Sequence, residues 1–169
     1  MKYFVFVLFA SLAFASASPR GQEDEMYAFF EALSSLFRIP VSEVKVCAQK
    51  SGLFCATFPA RNDIVSNIIE GKNLMKDEGI RRVFCTIACT AQVQGTMIGN
   101  KINMPYIEQL IDTEKNSARM KNKIRLIMHE CLETVKDQDS ECEVAAKYTQ
   151  CMIIKSTKQE PIYHEGRVH

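Results

Sequence analysis

Seven cysteines carry most of the reactive chemistry in this chain of 169 residues: Cys47, Cys55, Cys85, Cys89, Cys131, Cys142 and Cys151. Thiols pair as disulfides, ligate zinc or act as nucleophiles, and the compartment decides among these. Zinc could draw on Cys85-x3-Cys89 with His129, but no paired C-x2-C accompanies them. His129-Glu130 lacks the second histidine of a metalloprotease helix. There is no G-x-S-x-G elbow, phosphate-binding glycine loop or cluster of catalytic carboxylates. The His-Asp pair and calcium loop of a secreted phospholipase are missing too. The residues therefore point away from an enzyme and imply no metal or cofactor.

The first residues speak to compartment. Lys2 precedes an apolar run from Tyr3 to Phe14, too short to span a bilayer comfortably. Ala15-Ser16-Ala17 then offers small residues where a signal peptidase reads, so residues 1–17 are expected to be a signal peptide. An uncleaved anchor is the alternative. No later segment has eighteen consecutive apolar residues, so the expected product is secreted, extracellular and not inserted in a membrane. Lys+Arg 21 against Asp+Glu 20, with no basic stripe, excludes an obvious nucleic-acid partner. A hydrophobic fraction of 47% excludes a disordered chain.

The elements that must position the thiols read as helices. Met26, Phe29, Phe30, Leu33 and Phe37 recur at three- and four-residue steps and predict a helix over 25–37. Pro40 breaks it, and Ser42 begins a second helix that stops at Ser51-Gly52. Residues 52–59 read as irregular. Asn62 or Asp63 is expected to cap a short helix carrying Ile64, Val65, Ile68 and Ile69. Ile80, Val83, Phe84, Ile87, Ala88 and Ala91 form the cleanest stripe, ending before Gly95. Residues 97–104, with Gly99 and Asn100, read as a loop. Pro105 suits the first turn of a helix holding Ile107, Leu110 and Ile111. Met120, Ile124, Ile127, Met128, Cys131 and Val135 mark a long helix, and Ser140-x-x-Glu143 opens the last one. The expected fold is all-α: six helices with an additional one at the N-terminus. The domain limits are 18–41 for that extension, 42–156 for the main domain and 157–169 for a polar tail.

Cys85 and Cys89 share one helical face, which orients them poorly toward each other, so each should reach a different helix. Cys142 and Cys151, nine residues apart, lie on opposite faces and must also find separate partners.

These gaps resemble those of the insect pheromone- and general-odorant-binding proteins. Cys85-x3-Cys89 and Cys142-x8-Cys151 match two fixed gaps of that family. Forty-one residues between Cys89 and Cys131, and ten between Cys131 and Cys142, suit its range. The resemblance spans Cys55 to about Lys155 and implies six helices, three disulfides and an apolar cavity. It implies the pairs Cys55–Cys89, Cys85–Cys142 and Cys131–Cys151, leaving Cys47 as the odd thiol. Cys55 is preferred because 29 residues separate it from Cys85; the 37 after Cys47 would need an insertion. Even so, Cys47-Ala-Gln-Lys-Ser-Gly-Leu also looks like a family opening.

Apolar stripes alone describe any helical core. The resemblance turns part of them into a candidate lining: Ile68, Phe84, Ile87, Ala88 and Met97, then Ile107, Leu110, Met120 and Ile124, then Ile127, Met128, Tyr148 and Met152. The Tyr148 hydroxyl could meet a ligand oxygen or, the preferred reading, a backbone carbonyl. The implied function is a carrier that encloses a small hydrophobic ligand, an odorant, pheromone or lipid-like molecule, with a chemosensory receptor as further partner, as a monomer or homodimer. The tail 159–169, with His164 and His169, reads as a frayed end or as a pH-sensitive lid. The alternative function is a secreted interaction protein with a filled core.

Overall fold

The computed structural model describes residues 21–55 and 57–158, so the expected signal peptide and the tail with His164 and His169 lie outside the described residues. Among the described residues there are seven helices and one two-stranded hairpin. Helix α1 runs Gln22–Phe37, α2 Val41–Lys50, α3 Arg61–Ile69, α4 Glu78–Gln94, α5 Met104–Thr113, α6 Ala118–Glu133 and α7 Glu141–Lys158. The all-α architecture with an additional N-terminal helix is thus present.

Each helix buries the stripe its sequence displays. On α1, Phe30 and Leu33 are buried, while Met26, Phe29 and Phe37 pack around them. Glu23, Asp24 and Glu25 in its first turn oppose the positive end of the helix. The helix closes at Arg38, whose backbone turns left-handed (φ 53°), and Ser34 Oγ donates to the Ile39 carbonyl across that turn. Helix α4 sits at the centre, packed most extensively against α7 and then α2. Asp77 Oδ1 accepts from the Ile80 amide at 2.9 Å to start it. Gly95 ends it at φ 95°, a conformation that costs glycine little.

Two local expectations are corrected. The cap of α3 is Ala60, not Asn62 or Asp63: the chain becomes helical directly after Pro59-Ala60, so both polar residues already lie in the first turn. Residues 97–104 are not wholly a loop. Met97 pairs with Ile102 and Ile98 with Lys101 around Gly99-Asn100, and Asn100 Nδ2 donates to the Gln138 carbonyl at 2.9 Å. Two residues per strand leave too short an alternation to recognise in sequence.

Three disulfides tie the helices together. Cys47 of α2 is bonded to Cys89 of α4, Cys85 of α4 to Cys142 of α7, and Cys131 of α6 to Cys151 of α7. The expected Cys55–Cys89 pair is therefore corrected to Cys47–Cys89. Val44, Cys47 and Ala48 form the buried face of α2, which lies on α4 and brings the Cys47 and Cys89 Cα atoms to 5.5 Å. Cys55 comes after that helix has stopped, at the end of a 3-10 turn, Leu53–Cys55. The ten residues 51–60, between α2 and α3, contain this turn and lengthen the gap from Cys47 to Cys85.

Candidate functional site

Where α1, α4 and α7 meet, side chains from the three helices border two apolar cavities beside the packed core. The larger, of about 110 Å³, lies between the C-terminal end of α1, the hairpin, α5, α6 and α7. Its walls include Phe37, Met97, Ile107, Met128, Tyr148 and Met152. The smaller, of about 80 Å³, lies between α1, α3 and α4, with Phe29, Leu33, Phe58, Ile64, Ile68 and Phe84 on its walls. Leu36, Ile87, Thr149 and Ile153 border both, so the two spaces adjoin along these four residues. Both volumes are several times what a single water needs, and the walls are almost entirely hydrocarbon.

The few polar groups stand out against those walls. Tyr148 borders the larger cavity, yet its hydroxyl oxygen is enclosed and has no hydrogen-bond partner among the described residues. The preferred expectation, a backbone carbonyl as partner, is thereby corrected: the carbonyls of α7 around it are engaged within the helix, and the hydroxyl oxygen finds no other partner among the described residues. Burial pushes the phenol pKa upward, so the group remains a neutral O–H at physiological pH. A neutral phenol is a hydrogen-bond donor as well as an acceptor.

Of the expected lining, Met97, Ile107, Met128, Tyr148 and Met152 come together on the larger cavity. Ile68 and Phe84 border the smaller one, and Ile87 borders both. Ala88, Leu110, Met120, Ile124 and Ile127 line neither of these two cavities. Ala88 is buried against Val144 and Ala145, and Ile124 and Ile127 fill the core between α5, α6 and α7. Leu110 is half-buried, and Met120, in the first turn of α6, is 38% exposed. Periodicity identifies the inward face of a helix; whether that face meets atoms or space depends on the helix opposite.

Sequence reasoning missed the contribution of α1. Phe29, Leu33 and Leu36 wall the smaller cavity, and Leu36 and Phe37 wall the larger. The apolar stripe of 25–37 was the available clue, but it precedes the cysteine pattern and so was assigned to an extension.

The zinc alternative loses its ligands, because Cys85 and Cys89 are both consumed in disulfides. His129 is exposed and lies 3.0 Å from Glu108 Oε1. No helix among the described residues is long and apolar enough to cross a membrane.

Helices laced by interlocked disulfides thus surround apolar space. Residues 40–155 match the PBP/GOBP family, the insect pheromone- and general-odorant-binding proteins. The chain belongs to this family. No curated protein and no solved structure matches it. The PBP/GOBP proteins are secreted carriers of small hydrophobic molecules and not enzymes. The PBP/GOBP match begins after α1, although α1 walls both cavities of this chain.

Proposed function

We propose that this chain is a secreted carrier that reversibly encloses a small hydrophobic ligand in the larger cavity, with Tyr148 donating a hydrogen bond to a ligand oxygen. The observation that carries this reading is an apolar cavity of about 110 Å³ with Tyr148 on its wall, its hydroxyl buried and without a partner among the described residues. A buried hydroxyl without a partner costs about 1–3 kcal/mol, and a ligand alcohol, carbonyl or ester oxygen would recover it. Met97, Met128 and Met152 on the same wall have flexible, polarizable side chains that adapt to ligands of differing outline.

Enclosure explains the covalent framework. Empty space forfeits packing energy, and three crosslinks, each contributing about 2–4 kcal/mol, offset that loss. Such bonds persist in oxidising compartments, in keeping with a signal peptide over 1–17 and export from the cell. Release to a chemosensory receptor completes the carrier's task.

Displacement of a fluorescent apolar probe by a panel of odorant-sized alcohols, aldehydes and esters tests the reading. Oxygenated ligands should displace the probe more strongly than hydrocarbons of equal length. Absence of displacement by every member of the panel would overturn it.

A further inference from the structure

The two cavities differ in the polar atom each presents. Tyr148 is on the wall of the larger; half-buried Arg61 is on the wall of the smaller, and its Nε is enclosed with no hydrogen-bond partner among the described residues. A guanidinium stays charged at any working pH and presents its N–H groups in a planar fork that fits a carboxylate. An enclosed N–H without an acceptor has surrendered its bond to water and received nothing in exchange. Glu25 is the other ionisable group on this wall, and no ion pair joins it to Arg61 among the described residues. Arg61 is also the first residue of α3, a helix whose cap residue Ala60 offers no side-chain acceptor. The positive end of that helix adds to the guanidinium charge. Phe29, Leu33, Phe58, Ile64 and Ile68 form the remainder of the wall and suit a hydrocarbon body.

We propose that the smaller cavity is a second ligand site, selective for an aliphatic carboxylate whose head pairs with Arg61 and whose chain lies between α1 and α3. It goes beyond the carrier reading of the larger cavity, sharing with it only the premise that the fold admits apolar ligands. The two spaces meet at Leu36, Ile87, Thr149 and Ile153, so a carboxylate and a neutral odorant would lie side by side there. Much of the wall comes from α1, which precedes the family match.

The experiment is calorimetric titration of the disulfide-bonded protein at pH 7.5 with octanoate and with 1-octanol, matched in chain length. Arg61→Gln should weaken octanoate at least tenfold and leave octanol within twofold, while Tyr148→Phe should weaken octanol alone. Native mass spectrometry with both ligands should show a ternary complex. Ala32→Phe, which fills the smaller cavity without altering charge, gives an independent reading if Arg61→Gln folds poorly; it should abolish octanoate binding only. The site is overturned if octanoate does not bind, if it survives both substitutions, if both ligands weaken equally, or if octanol excludes it. Octanol binding without octanoate sinks this site and leaves the larger cavity standing; Arg61-dependent octanoate binding without octanol does the reverse.

Discussion

Cys47, on the buried face of α2, is bonded to Cys89 of α4, whose helix also carries Cys85, bonded to Cys142 of α7. Two thiols four residues apart on one helix thus clamp two different helices, α2 and α7, to the same central element. This arrangement fixes α4 in the middle of the domain, where its side chains border both cavities.

The cysteine assignment separates two simple variants. Cys47→Ser should lower stability by about 3 kcal/mol and the melting temperature by roughly 10 °C, because it opens a long covalent loop. Cys55→Ser leaves all three bonds intact and should melt close to the wild type. Thermal unfolding together with non-reducing peptide mapping checks both; a peptide linking Cys55 to Cys89 in the wild type would contradict the assignment.

Tyr148→Phe removes a hydroxyl that the protein does not satisfy. The free protein should therefore be equally stable or slightly more so. Affinity for an alcohol or ester should fall roughly fivefold, about 1 kcal/mol, while affinity for a hydrocarbon stays level. Probe displacement beside a thermal melt reads both effects. A large loss of stability would mean that the hydroxyl has a structural partner after all.

Core and surface positions on α6 should behave differently. Ile124→Ala creates a void in packed hydrocarbon and should cost about 2–5 kcal/mol. Met120→Ala, at an exposed position, should change stability by less than about 0.5 kcal/mol and leave ligand affinity unaltered. Denaturant titration of the two variants provides the comparison. Equal affinity losses at both positions would return Met120 to the binding site.

One exposed ion cluster sets an acid response. Hydrogen bonds from Arg81 and then Arg82 lower the Glu78 carboxyl pKa from 4.5 to about 2. A folded pKa below the unfolded value means that this contribution is present above pH 4.5 and is lost as pH falls toward 2. Wild-type stability should therefore drop more steeply than that of Glu78→Gln over that window. Urea midpoints measured from pH 6 to pH 2 test this, and parallel curves would refute it. The effect should be small, because solvent screens the cluster.

Much of this protein was legible in its sequence for a plain physical reason: helices are local. The stripes at 25–37, 80–91 and 120–135 encode their own inward faces, and Pro40, Gly95 and Pro105 punctuate them through backbone constraints that neighbouring residues do not alter. Cysteine spacing added the family, since fixed gaps on helices reflect fixed directions of side chains. Which thiol pairs with Cys89 was not local. Cys47 and Cys55 are both near enough in sequence, and only the docking of α2 on α4 selects the first. The cavities were less legible still. An inward-facing isoleucine looks the same in sequence whether it is packed in the core, as Ile124 is, or borders a cavity, as half-buried Ile87 does. Tertiary structure decided that difference, and it turned the helix read as an extension into the wall of both cavities.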